Sequence, residues 1–143
     1  MTDLQAMLRY FEGDRLDLYW DTAEPPQATI GIGHNLSANG ISPVVRDMMF
    51  SEDTVNAIDA ARSVCSIYEQ LTRPRQLVLL SMAFQMGQTR LSKWVHFLNA
   101  LHQEDWEEAA GQILASKAAK DPKLMTRFNI LANMMRTNVS QWI

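Results

Sequence analysis

RYFEGDRLDLYWDTAEPPQATIGIGH, residues 9–34, is the stretch in which the periodicity of the sequence changes. Before it, apolar residues recur at helical spacing as far as Phe11, and Gly13 suits the position just past a helix end. Residues 16–21 and 28–34 instead alternate apolar and polar side chains, which is typical of strands with one buried face. The segment AEPPQ between them has the composition of a turn. The stretch therefore predicts a helix over residues 3–11 followed by a small antiparallel sheet.

The remainder of the chain predicts helices only. Pro43 suits the first position of a long helix, and apolar residues then recur at helical spacing to about residue 71. Pro74 begins a helix that is apolar almost all round, and Gly87 ends it. Two amphipathic helices follow, and Asp121-Pro122 is expected to cap a last one.

These elements predict an α+β fold in which a small N-terminal β lobe joins a helical C-terminal lobe through one long helix. The 143 residues suit a single domain, 1–143. We expect the β lobe at about 13–42, the bridging helix at about 43–71, and the helical lobe at about 72–143 together with the N-terminal helix 3–11. The seam between two such lobes is a natural place for a cleft.

Composition argues against several classes of protein. The net charge of −3 argues against nucleic acid as a partner, and no run approaches the ~18 apolar residues of a membrane span. No secretion signal is expected, because the N-terminus lacks a basic segment before an apolar one. The single cysteine, Cys65, lies on an apolar helical stripe, which favours a buried structural thiol. Residues 117–143 are basic, which indicates either a solvated helix face or a mild anchor for an anionic polymer.

Three residues of the opening stretch suit acid–base chemistry on a sugar. Glu12 comes where the first helix stops, beside Phe11, and an apolar neighbour favours the protonated form of an acid. Asp21 comes beside a turn, where solvent favours the ionised form, and Thr29 has a hydroxyl able to hold a water. Two carboxylates in unlike environments fit a glycoside hydrolase. A glutamate at a helix end and an aspartate before a turn are also ordinary surface residues, so the residues alone leave both readings open.

A set of short motifs spans nearly the whole chain. In the opening stretch they are Glu12-Gly13, Tyr19-Trp20-Asp21-Thr22 and Thr29-Ile30-Gly31-Ile32-Gly33-His34. Elsewhere they are Met7-Leu8-Arg9, Phe84-Gln85-Met86-Gly87, Trp106-Glu107-Glu108-Ala109-Ala110, and Arg136-Thr137 followed by Trp142. In these motifs and in their order, the chain resembles the phage-type lysozymes of glycoside hydrolase family 24.

The resemblance implies a lysozyme-like fold and a defined reaction. The family hydrolyses the β-1,4 bond between N-acetylmuramic acid and N-acetylglucosamine in peptidoglycan, with inversion at the anomeric carbon. By position, Glu12 matches the general acid, Asp21 the second carboxylate and Thr29 the catalytic threonine. Glu12 would then protonate the glycosidic oxygen while the other two position a water on the opposite face, which requires carboxyl groups spaced widely enough for that water.

The resemblance also implies residues that support the site or contact the substrate. His34 matches a structural histidine tied to a carboxylate near the active site, and Arg127 matches an arginine that pairs with the catalytic glutamate, here Glu12. The matches to substrate contacts are Phe84, Asn35, Phe97 and Gln112. For Phe97, packing in the core is the stronger alternative. Neither a cofactor nor a metal is implied.

The chain departs from the family pattern in two places. AEPPQ lengthens the interval between Asp21 and Thr29, in a turn where insertions are tolerated. The segment before Arg127 lacks the aromatic residues that family members carry there. The negative net charge also predicts weaker attraction to anionic cell walls than a basic relative would have.

The resemblance leaves the biological context open. An endolysin that lyses the host is the leading interpretation: a monomer that accumulates in the host cytoplasm and acts on the periplasmic cell wall once a separate protein permeabilises the membrane. A virion-borne or prophage-derived lysozyme is one alternative. A peptidoglycan-binding module with little turnover is another, which the altered segment before Arg127 keeps open.

Overall fold

The computed structural model describes residues 2–141, so Trp142 of the terminal motif lies outside the described residues. Within them the predicted α+β class is confirmed, with seven α-helices and one three-stranded antiparallel sheet. The chain divides into two compact units between Met49 and Phe50. We call residues 2–49 unit 1 and residues 50–141 unit 2.

Unit 1 begins with helix α1, Asp3–Glu12, and Gly13 follows its end as the sequence predicts. The Thr2 hydroxyl accepts a hydrogen bond from the Gln5 backbone N–H, and the Gln5 side chain accepts one from the Thr2 N–H. This capping box satisfies donors that the first helical turn leaves without partners. Gly13 follows the helix with φ of 79°, a conformation that other residues rarely adopt. Glu12 is therefore the last helical residue, one position later than predicted.

The sheet of unit 1 is antiparallel, in the order β1-β2-β3. Its strands are β1 at Arg15–Trp20, β2 at Ala28–Gly31 and β3 at His34–Asn35. Thr29, in the central strand, lies opposite Tyr19 of β1 and opposite Asn35 of β3. It is only 3% exposed, the one fully buried residue of unit 1.

The strand predicted over residues 28–34 is in fact two strands joined by a tight turn. Gly31 and Gly33 have φ of 68° and 67°, so the alternating glycines reverse the chain direction instead of extending the strand. Asn35 then caps a short helix, α2 at Leu36–Asn39, by accepting a hydrogen bond from the Ala38 N–H.

The long helix α3 spans Pro43–Val64, so it begins where predicted but ends well short of residue 71. The division between the two units falls within it. A separate 3₁₀ turn at Tyr68–Gln70 occupies part of the remaining predicted range. The sequence holds no glycine or proline between Val64 and Pro74, so no local signal marks the true end of the helix.

Unit 2 is helical and contains the hydrophobic core of the described residues, which runs from Ala57 to Met135. Its further helices are α4 at Arg73–Leu91, α5 at Val95–His102, α6 at Trp106–Ala115 and α7 at Met125–Thr137. Val78, Leu79 and Met82 of α4 are fully buried, which confirms the central helix predicted from its apolar composition. The thiol of Cys65 is buried as well, as expected.

Two predicted helix ends in unit 2 differ in detail. Gly87 breaks the geometry of α4 with φ of 72°, as expected, but a further helical turn continues to Leu91. The last helix begins at Met125, so Asp121 does not cap it. The Asp121 carboxylate instead accepts a hydrogen bond from the Lys123 N–H within a turn. No helix in residues 2–141 has the length and apolar character needed to cross a membrane.

Candidate active site

Glu12 lies against a backbone position that has no side chain. A β-carbon placed on Gly33 would come within 2.9 Å of Glu12 Oε2, closer than real β-carbons approach other atoms. The carboxyl group of Glu12 therefore occupies space that only glycine leaves free at position 33. The turn between β2 and β3 thus holds the end of α1 next to the sheet of unit 1.

The apolar surroundings predicted for Glu12 are not found within unit 1. The Glu12 side chain is exposed, and neighbouring Phe11 is 70% exposed. The Phe11 ring packs edge-on against Tyr10, with ring centroids 5.4 Å apart, and so faces another aromatic ring instead of the carboxyl group. Residue order along a helix does not fix such contacts, because adjacent residues point in different directions.

Asp21 closes the AEPPQ loop. Its Oδ1 accepts hydrogen bonds from the backbone N–H groups of Ala23, at 3.0 Å, and Gln27, at 2.8 Å. Both bonds use the same oxygen, so within residues 2–141 Oδ2 has no protein donor. Asp21 is therefore a turn-forming residue and, at the same time, a fixed carboxylate with one oxygen available.

Gln27 connects Asp21 to Thr29. The Gln27 carbonyl accepts the Asp21 backbone N–H at 3.0 Å and the Thr29 hydroxyl at 3.2 Å. Both predicted residues are thus held by one peptide group at the start of β2. The longer AEPPQ loop leaves Thr29 in register with Tyr19, because the extra residues lie between the two hydrogen bonds that Asp21 Oδ1 accepts.

His34 and Asn35 both make local structural hydrogen bonds. His34 Nε2 lies 2.6 Å from the carbonyl oxygen of Gly40, which can only accept, so Nε2 carries the proton. The bond to a carboxylate that the resemblance implies for His34 stays a prediction. Asn35 uses its amide oxygen to cap α2, which leaves its NH₂ group as the part available to a sugar.

Arg127 of unit 2 is tied to α4. Its Nη2 donates to the carbonyl oxygen of Ser81 at 3.2 Å and to the Ser81 hydroxyl at 2.8 Å. A guanidinium has five N–H donors in a planar fork, so this attachment leaves others for a carboxylate. The pairing of Arg127 with Glu12 stays a prediction.

A cavity of about 790 Å³ in unit 2, which we call the arginine cavity, brings Arg127 and Phe84 together. Phe84 is 47% exposed and packs edge-on against Phe50, with centroids 6.1 Å apart. Arg62 and Tyr68 also line the cavity. The hydrogen bond and charge of Glu69 raise the pKa of Arg62, and burial raises the pKa of Tyr68, so the first stays charged and the second neutral near pH 7.

A second cavity of unit 2, about 440 Å³, brings Phe97 and Gln112 together, and we call it the lysine cavity. Phe97 is 1% exposed and belongs to the hydrophobic core, with its ring edge-on to Trp94 at 6.1 Å. Gln112 Nε2 donates to Glu108 Oε1 at 2.7 Å. Substrate contact by either residue stays a prediction.

Several residues of these sites do not stand out in the sequence. Gly33 and Gln27 matter through the backbone, which a pattern of side-chain types does not reveal. Lys93 and Lys117 line the lysine cavity but read singly as ordinary surface lysines. Across residues 2–141, no three His, Cys, Asp or Glu side chains cluster as metal ligands do.

The candidate residues fall within one known protein family. The family model described as phage lysozyme matches residues 9–129, a range that includes Glu12, Asp21, Thr29 and Arg127. The chain belongs to the phage lysozyme family. The predicted membership of the phage-type lysozymes and the predicted lysozyme-like fold are thereby confirmed.

Individual relatives of this phage lysozyme differ in size. Probable T4-type lysozyme 2 of Dictyostelium discoideum is 29% identical, with 77% of this chain and 81% of that protein covered. Probable T4-type lysozyme 1 of the same organism is 23% identical, with 79% and 82% covered. Pre-baseplate central spike protein Gp5 of Enterobacteria phage T4 is 32% identical over 74% of this chain but only 23% of its own length.

Family membership establishes the general activity. Phage lysozymes are glycoside hydrolases of the muramidase type, so this chain is an enzyme and its substrate is peptidoglycan. The roles of individual residues in this phage lysozyme are a separate matter, which the geometry described above addresses.

Proposed function

We propose that this phage lysozyme hydrolyses the β-1,4 bond from N-acetylmuramic acid to N-acetylglucosamine with Glu12 as general acid and Asp21 and Thr29 as the water-positioning pair. The observation that carries this proposal is the joint attachment of Asp21 and Thr29 to the peptide group of Gln27. The N–H of Gln27 holds the Asp21 carboxylate and its carbonyl holds the Thr29 hydroxyl, so the backbone of one residue fixes both side chains, which is what positioning a nucleophile requires.

In the proposed reaction, Glu12 donates its proton to the glycosidic oxygen as the bond from that oxygen to the anomeric carbon of N-acetylmuramic acid breaks. A water attacks the same carbon from the opposite face and gives its proton to Asp21. Asp21 Oδ2 suits this role, because both backbone donors occupy Oδ1. The Thr29 hydroxyl donates to Gln27, so its oxygen lone pairs remain to accept a hydrogen bond from the water.

Proton exchange with solvent then restores Glu12 to the acid form and Asp21 to the carboxylate. Because the water enters opposite the leaving group, the proposed product is inverted at the anomeric carbon. Time-resolved NMR of a defined glycan digest tests this point. The α-anomer of the new reducing end should appear first, whereas initial formation of the β-anomer would indicate a retaining mechanism.

Cell-wall lysis by a matched pair of proteins tests the proposed activity. Suspensions of outer-membrane-permeabilised Gram-negative cells should clear rapidly with the unmodified enzyme. With Glu12→Gln, which keeps the shape of the side chain but removes the acid, the rate of clearing should be about 10²–10⁴-fold lower. Circular dichroism should give the same spectrum for both proteins. Equal clearing by both, or none by either, would instead favour the peptidoglycan-binding module.

For the biological role, we propose an endolysin that acts as a monomer. It would remain in the host cytoplasm until a separate protein permeabilises the membrane and would then reach the periplasmic face of the cell wall. Expression in a Gram-negative host tests this dependence. Lysis should require co-expression of a membrane-permeabilising protein, and lysis by the enzyme alone would contradict it.

A virion-borne lysozyme is the second candidate role. The similarity to the pre-baseplate central spike protein Gp5 of phage T4, at 32% identity, favours it. Mass spectrometry of purified virions from a phage that encodes this chain distinguishes the two roles. Detection at a fixed number of copies per virion would support the structural role, and absence from virions would support the endolysin.

A further inference from the structure

A serine and a histidine of unit 2 form a pair that the proposed hydrolysis of peptidoglycan does not use. The Ser66 hydroxyl lies 2.9 Å from Nε2 of His102, although the two residues are 36 positions apart in the sequence. Ser66 follows the end of α3, and His102 is the last residue of α5. Both residues are exposed, so a molecule in solution can reach the serine oxygen. The fold of unit 2 therefore brings a hydroxyl and an imidazole together at the surface.

The second nitrogen of the His102 ring fixes the direction of this hydrogen bond. Nδ1 lies 2.7 Å from the carbonyl oxygen of Leu98, which can only accept, so in the neutral ring Nδ1 carries the proton. Nε2 is then an acceptor, and the Ser66 hydroxyl donates to it. A serine whose hydroxyl donates to a base, with that base oriented by a third group, is the arrangement that activates serine as a nucleophile.

Other serines of unit 2 lack this arrangement. The hydroxyls of Ser92 and Ser116 donate to backbone carbonyl oxygens three residues earlier, which secures a local turn without activating the oxygen. The Ser63 hydroxyl accepts from the side-chain amide of Gln88. Among residues 2–141, His102 is the one histidine whose ring is hydrogen-bonded to a hydroxyl group. The contact of Ser66 with His102 is therefore specific to this place in the fold.

Ser66 also carries a backbone donor without a partner. The N–H of Cys65 donates to the carbonyl of Ala61 and that of Tyr68 to the carbonyl of Cys65, whereas the Ser66 N–H has no acceptor among residues 2–141. When a serine oxygen attacks a carbonyl carbon, the N–H of the same serine is close enough to donate to the oxyanion that forms, as it does in serine proteases. The Ser66 N–H is thus available for that charge.

We propose that Ser66 and His102 form a second catalytic site, which hydrolyses esters of small carboxylic acids. Ser66 Oγ attacks the carbonyl carbon of the ester while Nε2 of His102 takes the hydroxyl proton. The bond to the alcohol oxygen breaks, the alcohol leaves with that proton, and the acyl group stays on Ser66. A water then attacks the acyl carbon and gives a proton to Nε2, and this proton returns to Ser66 Oγ as the acid is released.

The surroundings of the pair indicate the class of ester. Neither residue lines the arginine cavity or the lysine cavity, so neither of those cavities holds the acyl group. This favours a short acyl group such as acetyl, which has little apolar surface to bury. The exposed position places no limit on the size of the alcohol, so the ester can belong to a polymer. The site is independent of the proposed muramidase chemistry, whose three residues lie in unit 1.

Hydrolysis of p-nitrophenyl acetate by the full chain tests the proposal. Ser66→Ala and His102→Gln should each lower the rate by at least about tenfold, because the nucleophile or its base is lost. Ser63→Ala and His96→Gln are the matched controls, since both residues are exposed and neither belongs to the pair. Both controls should retain the rate of the unmodified protein, and circular dichroism should give one spectrum for the whole set.

Mass spectrometry after rapid acid quenching locates the acyl group. During turnover an acetyl group should be found on the peptide that contains Ser66. A fluorophosphonate, which reacts with activated serines, should label Ser66 in the unmodified protein and leave it unlabelled in His102→Gln. Acetylation confined to other residues, or equal rates of ester hydrolysis by Ser66→Ala and the unmodified protein, would overturn the proposal.

Discussion

At the scale of single residues, the proposed acid depends on a neighbour that has no side chain. Gly33 leaves the space that Glu12 Oε2 occupies, and it also has the positive φ that the turn after β2 requires. These are two different demands on one residue. The nearby Gly31 meets only the second, because a β-carbon added there has nothing within 4 Å.

The two glycines therefore form a matched pair for substitution. Gly33→Ala and Gly31→Ala should each lower the free energy of unfolding by about 1–2 kcal/mol, since both place alanine at positive φ. Only Gly33→Ala should also displace the Glu12 carboxyl group, with a loss of at least about tenfold in kcat/KM. The measurements are thermal unfolding and hydrolysis rates well below the unfolding temperature. Equal rates for the two variants would show that the contact with Glu12 has no catalytic consequence.

Asp21 combines a structural and a chemical role that substitution can separate. Asparagine keeps an oxygen that accepts from Ala23 and Gln27 but removes the charge, so Asp21→Asn should lose about 10²–10⁴-fold in rate with a small change in melting temperature. Asp21→Ala should lose a further ~1–3 kcal/mol of stability, because both backbone donors lose their acceptor. Near-normal activity of Asp21→Asn would exclude a catalytic carboxylate at this position.

The sequence predicted the candidate residues of unit 1 but not their partners. Glu12, Asp21 and Thr29 lie in short contiguous motifs, so matching these motifs to the family is enough to identify the three positions in the sequence. The contact of Glu12 with Gly33 and the shared attachment to Gln27 depend on how the β2–β3 turn and the AEPPQ loop fold. Apolar surroundings for Glu12 were inferred from adjacency to Phe11, but within unit 1 the Phe11 ring packs on Tyr10 instead.

At the scale of elements, the helices of unit 2 are joined by a half-buried cation as well as by apolar packing. Arg75, at the start of α4, donates from Nε to the carbonyl oxygen of Met135 at 3.0 Å, and its guanidinium lies 3.8 Å from the ring centroid of Trp106. The same side chain thus connects α4, α6 and α7. Burial lowers the pKa of Arg75, but a guanidinium remains charged at any ordinary pH.

Removing this connection should destabilise unit 2. Arg75→Met should lower the free energy of unfolding by about 1–3 kcal/mol, because the carbonyl of Met135 loses its donor and Trp106 its stacked cation. Arg73→Met is the control, since Arg73 is exposed and its side chain donates no hydrogen bond within residues 2–141. Urea unfolding monitored by circular dichroism compares them, and equal midpoints would contradict the role given to Arg75.

The segment after α3 gives the fold a dependence on alkaline pH. Burial raises the pKa of the Cys65 thiol, so the folded chain retains this proton to higher pH than the unfolded chain. The resulting stability is complete below the pKa of the unfolded thiol and is lost as the pH rises from about 9 through the higher folded value. Tyr68 is shifted in the same direction by burial and adds to the loss at still higher pH.

Cys65→Ala isolates the contribution of the thiol. Between pH 8 and pH 10, roughly the range in which an unfolded thiol ionises, the unmodified protein should lose more unfolding free energy than the variant. Chemical denaturation at several pH values measures the difference. Parallel pH profiles for the two proteins would show that Cys65 titrates alike in the folded and unfolded chain.

Elements were predictable where their ends are marked locally. The capping box of α1, Gly13 after it and Gly87 within α4 are all recognisable as residue types at fixed spacing. The end of α3 is not, because helical periodicity continues past Val64 without a breaker. The sequence did not predict the lysine cavity either, because residues 93–97 and 112–118 meet only when α5 packs against α6.

At the scale of the whole molecule, the fold class and the enzyme class were both predictable, because the motifs extend from residue 7 to beyond residue 136. The core that supports this fold lies in unit 2, whereas the three proposed catalytic residues lie in unit 1. In the proposed mechanism, residues in and beside the small sheet of unit 1 perform the chemistry, and the helices of unit 2 supply the hydrophobic core. The central claim is that this chain cleaves at N-acetylmuramic acid through Glu12.

Analysis of reducing ends tests that claim most directly. Purified peptidoglycan is digested, reduced with borohydride and analysed by mass spectrometry, with Glu12→Gln treated in parallel. The account predicts new ends that carry reduced N-acetylmuramic acid with the unmodified enzyme and essentially none with the variant. New ends that carry reduced N-acetylglucosamine, or equal yields from the two proteins, would contradict it.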